Sequence, residues 1–102
     1  MQIEHTHSFA HDEAKARARA LAEYLQNRHG MQVDWTSDDA FHMRGKYMIV
    51  AIDVNVKVGA DKVHVAGKDP GMLWRGKAKS YIEHKLSRYM DPSAPLETLP
   101  RG

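Results

Sequence analysis

Tyr47-Met48-Ile49-Val50-Ala51-Ile52-Asp53-Val54-Asn55-Val56-Lys57-Val58 decides the fold. Met48, Val50, Ile52, Val54, Val56 and Val58 recur at every second position, so in an extended chain their side chains share one face. Asp53, Asn55 and Lys57 mark the other face as solvated over the second half, the pattern of an antiparallel sheet with one side in water. Over the first half the outer face carries Tyr47, Ile49 and Ala51 instead. This half is apolar on both sides and predicts a covered or binding patch.

Working outward, the neighbouring segments show the same period of two. Upstream, Phe41 and Met43 oppose His42 and Arg44, and Gly45-Lys46 has the glycine-first form of a type II′ loop, predicting a hairpin there and a long strand from Tyr47 to Val58. Before that, Met31, Val33 and Trp35 alternate with Gln32 and Asp34, and Thr36-Ser37-Asp38-Asp39 supplies a turn. Downstream, Gly59-Ala60-Asp61 closes another hairpin, after which Val63 and Val65 oppose Lys62, His64 and Ala66.

Two amphipathic helices flank this β region. From His11 to about His29, Ala14, Ala18, Leu21, Ala22 and Leu25 recur at helical spacing, with Asp12 and Glu13 in the first turn and Gly30 as the stop. Asp69-Pro70-Gly71 predicts a type II turn. A second helix then runs from about Met72 to Met90, with Trp74, Ala78, Ile82, Leu86 and Tyr89 on one stripe. Gln2 to Thr6 reads as a short leading strand. The order β-α-β-β-β-β-α predicts an α+β domain of two layers, an antiparallel sheet with both helices on one face, in a helix-grip-like arrangement. Residues 1–91 form the expected single domain, and 92–102, with three prolines and only two leucines, an expected disordered tail.

Composition narrows the function. No cysteine is present, which excludes thiolate metal sites, disulfides and a cysteine nucleophile and fits a reducing cytoplasm. No stretch approaches a membrane span or a secretion signal. Fifteen Lys and Arg against thirteen Asp and Glu leave a formal charge of +2, too slight an excess to predict nucleic-acid binding.

His7-Ser8-Phe9 after the first strand, the helix opening Asp12-Glu13-Ala14, Gly30 behind it, and Pro70-Gly71-Met72-Leu73 before the last helix together resemble the polyhydroxyalkanoic acid system family. The resemblance covers roughly residues 3–90. It implies a link to polyester storage granules, in a granule-associated or regulatory role, and transfers no active-site residue. Two departures fall at the helix starts. Ala10 and His11 stand where a capping residue is usual, and Trp74-Arg75 where an aromatic-lysine pair is.

Individual residues support binding better than catalysis. His5 and His7 share a strand face and His11 follows closely, but three imidazoles without a further ligand make a weak metal candidate, so neither metal nor cofactor is expected. Asp12, Glu13, Asp38, Asp39 and Asp53 each have an ordinary place in a helix start, a turn or a solvated face. The serines lack the glycine-flanked elbow of a hydrolase. The expected interaction surface is Tyr47, Ile49 and Ala51 with Arg75, Lys77 and Lys79, offered to a granule surface, a granule-coating protein or a second copy of the chain. The expected function is thus a non-enzymatic accessory role in the storage-polyester system. Binding of an acyl chain in an apolar cavity is the alternative, and nucleic acid ranks behind both because Glu83 interrupts the basic helix face.

Overall fold

The computed structural model describes all residues, Met1–Gly102. Its elements are β1 (Gln2–Thr6), α1 (His11–His29), β2 (Gln32–Ser37), β3 (Ala40–Tyr47), β4 (Val50–Val58), β5 (Lys62–Gly67) and α2 (Arg75–Tyr89), followed by a 3-10 turn at Leu96–Thr98. The strands form one antiparallel sheet in the order β1-β5-β4-β3-β2. This is the α+β order expected from the sequence.

Successive antiparallel pairing makes β1 and β2, at opposite edges, point the same way. Parallel strands need a crossover, and α1 provides it. Its 19 residues span roughly 28 Å, enough to cross the roughly 19 Å between the outermost of five strands. Gly30 ends α1 in the left-handed conformation (φ 66°), where its N–H donates to the Gln26 and Leu25 carbonyls.

The core lies between the helices and one sheet face. Val50, Ile52, Val54, Val56 and Val58 of β4 are all buried, as are Phe41, Met43, Val63 and Val65 on the neighbouring strands. Leu21 and Leu25 of α1 and Ile82, Leu86 and Tyr89 of α2 meet them. The other face is left to water and carries close pairs such as His42–Asp53 and His64–Glu4, each 2.6 Å.

Two local expectations are corrected. The β3–β4 turn is Met48-Ile49, not Gly45-Lys46, because Tyr47 pairs with Val50 and Gly45 with Ile52. Gly45 serves close packing instead: a Cβ there would stand 2.7 Å from Met31 Sδ. Met48 takes the positive φ of the turn (58°). Second, Met72, Leu73 and Trp74 form a turn ahead of α2, which starts only at Arg75.

Residues 92–102, read from the sequence as a tail, lie along α1 in the structure. Arg17, 2% exposed, falls on the inward stripe of α1 three residues after Ala14 and four before Leu21. A buried guanidinium needs acceptors. It finds the carbonyls of Tyr89 (3.1 Å), Asp91 (3.2 Å) and Ala94 (2.7 Å), while its Nε donates to Glu13 (3.0 Å). Further along, Leu99 is buried, the Tyr89 hydroxyl donates to the Pro100 carbonyl, and Arg101 pairs with Glu23 at 2.7 Å.

Candidate interaction site

The strand directions bring the Met48-Ile49 turn, the β5–α2 loop and the C-terminus of α1 to the same end of the sheet. An apolar groove of about 220 Å³ opens there. Val50, Ile52 and Ala78 line its buried part, Met48 and Ile49 one rim, and Trp74 and Lys77 the other. At its inner end Tyr47 and Tyr81 stack, ring centroids 4.0 Å apart. Lys77 lies 5.7 Å from the Trp74 ring centroid and is the one charged residue in the lining.

Large apolar side chains are exposed in two short segments flanking this groove. Met48 is 82% exposed and Ile49 71% in the hairpin turn, and Met72 86% and Leu73 85% in the turn before α2. The hairpin pair cannot be buried by their own strands, since a two-residue turn projects beyond the last ladder pair. Met72 and Leu73 precede the first helical turn and so miss the inward stripe of α2.

Behind the stack lies an aromatic cluster. The His29 ring stands edge-on to Tyr47 (5.1 Å) and Tyr24 (5.6 Å). Burial pushes its imidazole below the usual value, and the Lys85 and Arg28 charges add to this. Burial likewise pushes the Tyr81 phenol up, and its hydroxyl is enclosed with no hydrogen-bond partner. Lys85 Nζ sits 4.5 Å from the Tyr24 ring centroid.

The expected interaction residues are divided by this geometry. Tyr47, Ile49 and Lys77 line the groove together. Tyr47 does so from the helix-facing side, because the two-residue turn that follows it sets it opposite Val50 and not in a row with Ala51. Ala51 is exposed on the open face beside Lys46. Arg75 pairs with Asp69 at 2.6 Å, which holds the Asp69 carboxyl below the usual range, and Lys79 is exposed outside the groove. Sequence reasoning missed Met48, Met72 and Leu73, which stand inside turns and so leave no periodic signal.

Two of the three amino-terminal histidines are engaged by the backbone. His7 Nε2 donates to the Gly59 carbonyl (3.0 Å) while its Nδ1 accepts from the Phe9 N–H (3.2 Å), and His11 Nε2 lies 3.0 Å from the Val58 carbonyl. With His5 they do not gather into a three-ligand group, nor do any other histidines and carboxylates.

No helix is long and apolar enough to cross a membrane. No curated protein and no solved structure matches the chain. A family model described as polyhydroxyalkanoic acid system protein matches residues 1–93, taking in all five strands and both helices. The chain therefore belongs to the polyhydroxyalkanoic acid system family.

Proposed function

We propose that the protein is a non-enzymatic accessory component of polyester storage that attaches to the granule in the cytoplasm, with the groove end as its contact surface. The observation that carries this reading is the exposure of Met48, Ile49, Met72 and Leu73 on both sides of one apolar groove. Large apolar side chains exposed together at one end of a domain mark an interaction site on a protein otherwise polar outside. A storage polyester offers a broad, uncharged, weakly polar surface that such side chains can wet.

Two features favour surface contact over the other readings. At about 220 Å³ the groove falls short of the roughly 300–1,000 Å³ that encloses a small-molecule ligand, which argues against an acyl-chain carrier. No nucleophile with an adjacent base lines it, Lys77 being the only charged group, which argues against a polyester-cleaving enzyme. The test is fractionation of polyester-producing cells expressing the tagged full chain. Recovery with washed granules supports the reading, and recovery only in the supernatant overturns it.

A further inference from the structure

Three exposed lysines surround the groove end without an acid of their own. Other lysines of the surface meet acids, Lys15 with Asp38, Lys57 with Asp39, Lys62 with Glu4 and Lys68 with Asp53, while Arg19, Arg28, Arg44, Lys85 and Arg88 are scattered cations outside any ion pair. Lys46, one residue before Tyr47, and Lys77 and Lys79 in the first turns of α2 are exposed, and none forms an ion pair. The acid of the β5–α2 loop, Asp69, is already taken by Arg75. The first turn of α2 carries no acidic residue, the reverse of what the helix macrodipole favours. Choices that work against local stability are characteristic of surfaces kept for a partner.

Apolar side chains at a tip with free lysines set behind them match the two requirements of an interfacial anchor: a part that enters the apolar layer and a part that meets negative headgroups. A bare polyester supplies the first but has no charge for the second. Resting on the docking surface of the preceding section, we propose that its partner surface bears anionic phospholipid, with Met48, Ile49, Met72 and Leu73 entering the apolar layer and Lys46, Lys77 and Lys79 on the headgroups.

The experiment is sedimentation of the full chain with three particles: vesicles of equal phosphatidylglycerol and phosphatidylcholine, vesicles of phosphatidylcholine alone, and lipid-free polyhydroxybutyrate. Binding to the anionic vesicles, at least tenfold above the neutral ones and weakening with salt, is expected. Lys46→Gln with Lys77→Gln should lower it roughly tenfold or more, each lysine near an anionic surface contributing about a fivefold factor. Lys15→Gln, at the opposite end of the sheet, should leave it unchanged. Equal affinity for both vesicle types, or equal loss in the Lys15→Gln variant, overturns the inference. Binding to lipid-free polyester alone overturns it while leaving the docking surface intact, whereas binding to none of the three removes both.

Discussion

Tyr47, the last residue of β3, stacks on Tyr81 of α2 with ring centroids 4.0 Å apart and planes inclined by 30°. The pair ties the hairpin turn to the helix and so fixes the width of the groove, whose two rims these elements supply. Because the Tyr81 hydroxyl is enclosed without a partner, the ring supports the site and the oxygen costs stability. Tyr81→Phe should therefore raise unfolding stability by about 1 kcal/mol, the low end of the cost of a buried unsatisfied group. Chemical denaturation measures this, and a loss of stability would mean that the hydroxyl has a partner.

Arg17 is the second structural commitment. Arg17→Ala removes the donor to the carbonyls of Tyr89, Asp91 and Ala94 and leaves them to find water, which should cost about 3 kcal/mol, as for breaking other buried charged contacts. In a domain of this size that lowers the melting temperature by more than about 10 °C. Truncation after Asp91 should produce a loss of similar direction. A melting temperature within a degree or two of the parent in both variants would show that the C-terminal segment contributes nothing.

Two glycines should respond to alanine in opposite directions. At Gly67 a Cβ would overlap the Asp53 carbonyl oxygen and approach Val54 Cα to 2.6 Å, so Gly67→Ala must displace strand β4. It should destabilise by about 2 kcal/mol or more, as overpacking does. Gly76, inside α2 with open space around its Cα, should gain up to about 1 kcal/mol as alanine. Thermal melts of the two variants distinguish them, and a shift of the same sign in both contradicts the packing described.

Acidification should act in two stages. The His29 pKa is lower in the folded protein than its ordinary value of about 6.5. The unfolded chain therefore binds this proton first, and stability falls as the pH drops below about 6.5. His29→Gln should flatten the melting temperature in that range. The carboxyls of Glu4, Asp39, Asp53 and Asp69 are lowered by hydrogen bonds to His64, Lys57, His42 and Arg75 respectively. Their contribution is present above the ordinary carboxylate range and is lost below about pH 4. An unchanged pH profile in His29→Gln would place the first stage on another group.

The period-two face from Val50 to Val58 and the Gly30 stop of α1 were legible in the sequence because burial and helix termination act locally. The hairpin turn was not. Gly45 has turn chemistry in isolation, and only the Met31 side chain packed over it explains why the glycine lies within a strand. That shift of three residues turned an expected row of Tyr47, Ile49 and Ala51 into a helix-facing residue, a turn residue and an open-face residue. The placement of the C-terminal segment was not legible either, since its carbonyls meet the buried Arg17 and the Tyr89 hydroxyl and only Leu99 enters the core, too little to leave a hydrophobic period. Tyr47, Ile49 and Lys77 were legible as candidates, whereas their meeting with Trp74 depends on the tertiary fold.

The measurement that tests the central claim most directly is the binding of purified parent protein to artificial polyhydroxybutyrate particles, compared with an Ile49→Asp, Leu73→Asp variant of matched melting temperature. Both positions are exposed, so folding should survive the changes. The parent should bind saturably and the variant at least a hundredfold more weakly, because burying each such side chain contributes about 1.5–3 kcal/mol. Equal binding by parent and folded variant would contradict the assignment of the groove end as the docking surface.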